Sequence, residues 1–475
     1  MAILTTPHTA SGPTPGGDNG TSHQSKLKQG TLGTVLITSL GVSFVISGDF
    51  AGWQFGLADG GWGGMSIALG IVTVLYLTMC MSLAELSSAL PSAGGGYRFA
   101  TTAFGPLGGF ITAAAIVLEY VIAPAAIATF IGSYVESLNL FGLTSGWPLY
   151  LACYIIFVAI HLAGAGEALK LMLGITGIAV FALIAYTLVM VPHFEAANLT
   201  TGVGLFPNGA TSVWAAIPFA IWFYLAVEGV PMAAEEARDP HRTIPRSILG
   251  SMFILMLAAG TMLVVGPGAA GVAVFAESGN PLVSGLEAVG ANPTFVTLIN
   301  VAALIGLVAS FFSIMYGYSR LIYSLSNDNV LPPALSRVNG RGVPTYALVI
   351  PAAIGFTLTL FIDGDTLMSV AVFGAVISYA LMMASHIKLR ITNPDLPRPY
   401  KTPGGIITSG VAFVLACGAI VSAFVSNFAV GSVSSLVLVA MTIVYVYVPT
   451  TKKTPATDGP GGVVKPAYDT YDADM

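Results

Sequence analysis

Charge is what this sequence has least of: Asp, Glu, Lys and Arg together make up 8% of its 475 residues, against roughly a quarter in a soluble globular domain. A chain that is also 55% hydrophobic cannot cover its outside with polar groups, which excludes a water-soluble enzyme. Cysteine is scarce as well. Cys80, Cys153 and Cys417 sit in separate apolar stretches without ligand-like spacing, so neither a disulfide framework nor a metal site is expected. His161, His193 and His386 are equally scattered, and no nucleophile lies beside a base in any recognisable pattern. No cofactor, no metal and no enzymatic activity are therefore expected. A net charge of -5 is too small to draw a nucleic acid, and no electrostatic macromolecular partner follows from it. The number of copies in an assembly is not encoded in any of these features.

What is abundant is apolar length. A helix needs about 20 apolar residues to cross a bilayer, and candidate spans lie near 33-58, 64-90, 108-135, 147-164, 169-191, 212-235, 246-266, 294-325, 344-362, 366-388, 406-426 and 432-449. The sequence thus predicts an all-α membrane protein of about twelve transmembrane helices. Its 55 glycines suit that environment, because small residues let helix backbones approach closely in lipid. Residues 1-30 and 451-475 are expected to be disordered cytoplasmic tails. All 17 Lys and Arg fall in loops of one side on this span count, whereas the opposite loops, including 191-211 and 267-293, contain none. The positive-inside rule then places both termini in the cytoplasm of a multi-pass protein of the cell (inner or plasma) membrane, whose main partner is the lipid bilayer.

Two spans carry a matching interruption. Span one reads Ser47-Gly48-Asp49-Phe50-Ala51-Gly52-Trp53 and span six reads Trp222-Phe223-Tyr224-Leu225-Ala226-Val227-Glu228-Gly229-Val230-Pro231. Each sets a carboxylate beside glycine at mid-membrane, and Pro231 cannot donate the helical hydrogen bond to the residue four before it. Unwound backbone at that depth is tolerated where it lines a cavity, and paired interrupted spans point to a transporter's substrate site. An ionised carboxylate there costs roughly +3 kcal/mol, and no Lys or Arg is expected in the core. Asp49, Glu228 and the mid-span Glu119 of helix three are therefore protonated, bonded to polar groups, or neutralised by a cation from solution. Phe50, Trp53, Trp222, Phe223 and Tyr224 flank the breaks and could face an ammonium group. The candidate substrate-binding set is Asp49, Glu228, Ser47, Gly48, Phe50, Trp53, Glu119, Trp222, Tyr224 and Gly229. A structural alternative stands beside it, since Asp49 and Glu228 could each cap a half-helix. Glu85, Arg98, Glu235 and Arg238 lie at the cytoplasmic ends of spans two, three and six, where gating or plain surface ion pairs are both open.

Ala84-Glu85-Leu86, Pro91-Ser92-Ala93-Gly94-Gly95-Gly96-Tyr97, Phe104-Gly105-Pro106 and Glu235-Glu236-Ala237-Arg238-Asp239-Pro240-His241-Arg242-Thr243-Ile244-Pro245 resemble segments of the amino acid, polyamine and organocation permeases. The resemblance implies a five-plus-five inverted repeat, the leucine-transporter-like fold, with broken helices 1 and 6. On that plan 31-390 form a ten-helix transport core and 391-450 add two more helices. Within the superfamily, Ile46-Ser47-Gly48-Asp49-Phe50-Ala51-Gly52-Trp53 and the Phe223 to Gly229 run are most similar to the ethanolamine permeases. That likeness implies a secondary active transporter importing ethanolamine or a similar small cationic amine by alternating access. Asp49 departs from the small residues that amino acid permeases usually carry in the first break, where backbone amides hold the substrate carboxylate. Some proton-driven relatives carry a helix-five lysine, whereas Gly164-Ala165-Gly166-Glu167 places glycine there. Coupling to protons and drive by the membrane potential both stay open. The alternatives are an amino acid or polyamine permease of the same superfamily and, from another class, a channel or nutrient sensor.

Overall fold

The computed structural model describes residues 32–139 and 142–447, without side chains for 165–171. The expected tails, Lys26, Lys28, Lys170 and the side chains of Ala165, Gly166 and Glu167 lie outside the described residues. The described chain is α-helical with short 3-10 turns and no strand. Among the described residues nine helical runs are long and apolar enough to cross a membrane, and three shorter apolar helices, Thr34–Val45 (α1), Trp147–Ala163 (α5) and Thr345–Leu358 (α12), bring the crossings described to twelve. The chain is a multi-pass membrane protein.

The crossings do not coincide with the helices one for one, and glycine is the reason. The first crossing runs through α1, the single turn Ser47–Phe50 (α2) and the start of Trp53–Ala89 (α3). Inside α3, Gly61 takes φ 65, a conformation that costs a residue with a Cβ about 1–2 kcal/mol. The second crossing starts after that kink. The third crossing, within Gly96–Ser137 (α4), follows a kink of the same kind at Gly105.

Burial sorts the bundle from inside to outside. In the apolar window of α4, 89% of residues are buried, against 11% in Phe428–Tyr447 (α15). Accordingly α4 is the central post, and α15 is a peripheral helix whose Phe428, Leu436 and Tyr447 face outward. Gly364–Thr392 (α13) and Pro293–Asn327 (α11) pack along α4. The interrupted sixth crossing, Thr211–Trp222 (α7) followed by a 3-10 run, packs along α3, while α1 lies on Pro240–Ala270 (α8). Ala165–Met190 (α6), Val272–Ala276 (α9), Pro281–Ala288 (α10) and Ile406–Ser426 (α14) complete the set.

Charge is sorted along the bundle as the hydropathy pattern predicts. One end carries every described Lys and Arg, and there Arg341 Nη1 donates to the Ala163 carbonyl at 2.9 Å while Arg98 meets Asp328. At the other end, with Asp59, Glu136, Glu195, Glu277, Glu287, Asp363 and Asp365, no Lys or Arg occurs among the described residues.

Candidate functional site

At the first break the backbone leaves the helix at Ala51, which is extended, and Gly52, which has φ 103. Freed polar groups at this depth need partners, and side chains provide them. Tyr134 donates its hydroxyl to the Phe50 carbonyl at 2.6 Å, Trp222 Nε1 donates to the Ala51 carbonyl at 2.9 Å, and Gly52 N–H donates to Gln54 Oε1 at 2.7 Å. Gly48 makes the contact between the two broken crossings. A Cβ there would strike the Trp222 carbonyl oxygen and come within 3.0 Å of Phe223 Cα, and both are backbone. Gly48→Ala is therefore expected to force the breaks apart at a cost of about 1–3 kcal/mol. A lower melting temperature of the purified protein together with reduced transport checks this; unchanged melting would mean that the two segments are free to separate.

In the sixth crossing the break lies earlier than the proline predicts. Helical geometry ends after Trp222, Ala226 adopts left-handed φ 76, and Pro231 sits inside the 3-10 run Val227–Glu236. A 3-10 segment has already given up the i to i−4 bond that proline forbids, so Pro231 is accommodated in the run, and the reversal falls on Ala226, whose carbonyl accepts from the Tyr120 hydroxyl at 3.2 Å.

The acids are all fully buried but differ in company. Glu228 accepts from Tyr120 at 3.1 Å and Tyr379 at 3.0 Å, and Tyr379 in turn meets the Tyr76 hydroxyl at 3.0 Å. The carboxyl of Glu119 lies against that of Glu228, and neither Glu119 oxygen has a hydrogen-bond donor of its own among the described residues. Two carboxyls in contact within a dry core cannot both carry charge without several kcal/mol of repulsion, so the pair is a place to hold one proton. Asp49 stands apart from that pair, near Tyr224, and both its oxygens lack a partner among the described residues. Buried polar atoms in native proteins are nearly always bonded; an orphaned carboxylate beside a helix break is a rare exception.

The remaining candidates are distributed around these acids. Ser47 is engaged by Ser310 at 2.8 Å, Phe50 packs on Gly306, and Gly229 lies under the Tyr120 hydroxyl and Phe44. Trp53 stacks on Phe223 with ring centroids 5.9 Å apart, Trp222 meets Phe130 edge-on at 6.0 Å, and Tyr224 bonds Thr73 at 2.9 Å. Trp222 and Tyr224 point to different neighbours. Tyr120 and Tyr379, which hold Glu228, and Tyr76, which bonds Tyr379, were not among the sequence candidates; only Tyr120, adjacent to Glu119, gives a local signal. Two cavities among the described residues are not lined by Asp49, Glu119 or Glu228. One, of about 330 Å³, lies between Phe104, Lys388 and Phe413, and the other, of about 190 Å³, lies between Phe55, Phe130 and Asp365.

The basic end is knotted by ion pairs, with partners other than those that sequence proximity suggests. Glu85 is not paired with Arg98. It is buried and receives Arg390 at 2.5 Å, Arg398 at 3.0 Å, His386 at 3.3 Å and the Thr402 amide at 2.7 Å. Arg98 instead lies 3.9 Å from Asp328. Glu235 accepts the Ala93 amide at 3.2 Å, and Arg238 uses its backbone N–H to bond the Leu32 carbonyl at 3.0 Å. The expectation that no basic group enters the core also needs correction: Arg320 is 3% exposed and donates to buried Glu236 at 2.8 and 3.2 Å. Its position near the end of a long apolar helix reads as a loop boundary in sequence, yet the end of the sixth crossing folds over it.

A bundle of twelve crossings, two of them unwound at mid-depth beside buried acids, is the architecture of a membrane transporter. The sequence profile of the amino acid permease family matches residues 31–448, and the chain belongs to that family. Its relatives include the branched-chain amino acid permease BcaP of Bacillus subtilis, 24% identical over 419 residues, covering 83% of this chain and 88% of the relative. BcaP of Lactococcus lactis is 23% identical over 413 residues, covering 81% of this chain and 85% of the relative. The methylthioribose transporter of Bacillus subtilis is 24% identical over 407 residues, covering 80% and 86%. At the level of the family the protein is a transporter and not an enzyme.

Proposed function

We propose that the protein is a secondary transporter that imports ethanolamine or a similar small organic amine by alternating access, with the basic end of the bundle in the cytoplasm. The observation that carries this reading is Asp49, whose carboxylate is orphaned beside the first break. The backbone there supports it further. An amino acid carrier needs free amides at that break for the substrate carboxylate, whereas here the Asp49, Ala51 and Gly52 amides donate to the Ile46 carbonyl, the Ser47 carbonyl and Gln54 Oε1 at 3.1, 3.0 and 2.7 Å. A carboxylated substrate beside Asp49 would add like charge in a low dielectric. An ammonium group supplies the missing partner.

The interrupted crossings stand first and sixth in order, which is what a five-plus-five inverted repeat requires, with the two outermost crossings added to it. In this scheme the Glu119 and Glu228 pair holds the proton of any coupled cycle. Without coupling, the membrane potential alone favours entry of a monovalent ammonium by about 2.3 kcal/mol per 100 mV. The names of the BcaP relatives favour a second reading, in which the substrate is an amino acid; a polyamine spanning both acidic levels is its cationic variant.

Competition in proteoliposomes separates these. Uptake of labelled ethanolamine is expected to be saturable, inhibited by unlabelled ethanolamine, and little affected by equal concentrations of leucine, alanine or putrescine. Uptake of leucine without uptake of ethanolamine would overturn the proposal in favour of the second reading. Trans-stimulated counterflow is expected of a carrier, and its absence would point to a channel or a sensor.

A further inference from the structure

The cavity of about 190 Å³ lies at the acidic end of the bundle, where the third crossing, the start of α5 and the start of α13 converge. Its walls are Phe55, Phe130 and Tyr150, its aliphatic hydroxyls belong to Thr129, Ser133 and Ser145, and its charge is Asp365. Asp365 is exposed, so the cavity opens to solvent. The carboxyl of Asp365 touches that of Asp363, which accepts the Thr366 amide at 3.0 Å as the N-cap of α13. The bond shared with Asp365, and then the bonds from Thr366, hold the Asp363 carboxyl below the usual carboxylate range. Burial, and then the neighbouring Asp363 carboxyl, push Asp365 the other way, up to about 6, which still leaves the mouth negatively charged near neutral pH.

Three features of the lining define what fits. No guanidinium or ammonium faces the cavity, and the described Lys and Arg are all at the opposite end of the bundle, so a carboxylate or phosphate has no counter-charge. Aromatic faces beside a carboxylate suit an organic ammonium better than a small hydrated metal ion. The volume of about 190 Å³ is that of a small molecule: about 10–15 Å³ on the same measure is enough for one water, so ethanolamine fits. Position gives the site a direction. Phe130 lines the cavity on one side and on the other meets Trp222 edge-on at 6.0 Å, and Trp222 holds the Ala51 carbonyl of the first break. A single ring thus separates this cavity from the Trp222 indole at the first break.

We infer that the cavity between Phe55, Phe130, Tyr150 and Asp365 is an outer capture site, which holds the ammonium group of a small organic amine before Phe130 and Trp222 let it pass to Asp49. This rests on the amine reading of the transport site and adds a second, external station to it. The whole end of the bundle supports the same sign, because among the described residues no Lys or Arg lies among its other acids to cancel their field. A cation is concentrated there at low ionic strength.

The test is the concentration dependence of labelled ethanolamine uptake in cells expressing the full chain. Asp365→Asn is expected to raise KM about tenfold with the maximal rate within about twofold, whereas Asp365→Glu stays near wild type. The KM defect is expected to shrink as salt is raised, since screening weakens capture in the wild type too. Because Asp365 is exposed, folding is not at stake; surface labelling of both variants verifies their amounts. If the wild type takes up ethanolamine and Asp365→Asn leaves KM unchanged, the outer site is refuted while the proposed function stands. If the wild type takes up no amine at all, both fall together.

Discussion

Uptake of labelled ethanolamine is expected to fall by about tenfold or more in Asp49→Asn and in Glu228→Gln, which corresponds to about 1.4 kcal/mol or more in each, while both variants are expected to reach the membrane in wild-type amounts. Neither substitution changes volume, so packing survives. Asn at position 49 keeps an acceptor but loses the charge that an ammonium needs, and no neighbouring side chain replaces it, because both Asp49 oxygens lack partners among the described residues. Gln at 228 still accepts from one of Tyr120 and Tyr379, yet it can no longer share a proton with Glu119. The two variants should therefore fail differently. Asp49→Asn loses binding, and with it both net uptake and counterflow; Glu228→Gln loses net uptake driven by a pH gradient but retains part of the counterflow, which needs no net proton movement. Wild-type uptake in both variants would refute the site assignment, and equal loss of counterflow in both would remove the division of labour between the two acidic levels.

Much of the architecture could be read directly from the chain, for a physical reason that also marks where such reading stops. Hydropathy and the placement of Lys and Arg report on the surrounding solvent, which each residue meets individually, so the twelve crossings and the sorted ends follow from local sequence. The two breaks were also legible, because glycine beside a buried acid is a local anomaly. The position of the second was not, since Pro231 signals where a helix cannot continue rather than where the chain reverses, and the reversal at Ala226 carries no breaker residue. Contacts between distant segments were the least accessible. The tyrosines that hold Glu228 come from the third and tenth crossings, and the one that bonds Tyr379 in turn comes from the second; nothing at Tyr76 or Tyr379 distinguishes them from other core aromatics. Glu85 illustrates the same limit: Arg98 is near in sequence, but Arg390 and Arg398, some three hundred residues away, are near in space.

Arg320 shows how such a distant pairing bears on the transport cycle. Removing the guanidinium in Arg320→Met leaves the Glu236 carboxylate buried without its counter-charge, and breaking one side of a buried ion pair costs about 3–5 kcal/mol. The guanidinium also rests 4.1 Å from the Tyr316 ring centroid, so the single variant loses a cation–π contact as well. Purified Arg320→Met should melt several degrees below wild type. Arg320→Met combined with Glu236→Gln should recover most of that loss, because replacing both charges of a buried pair is often close to neutral. The pair ties α11 to the last turn of the 3-10 run in the sixth crossing, and the Leu32 amide bonds the Glu236 carbonyl at 2.9 Å in the same place. In the proposed alternating-access cycle, with the basic end on the cytoplasmic side, this end must separate for release, so the double variant is expected to be stable yet biased toward the released form. A cysteine placed at Ala234, buried at 1% exposure, should then react with a water-soluble maleimide at least severalfold faster than in the paired protein. Equal melting of Arg320→Met and wild type would show that the pair contributes nothing to stability, and unchanged labelling in the double variant would show that it does not hold this end closed.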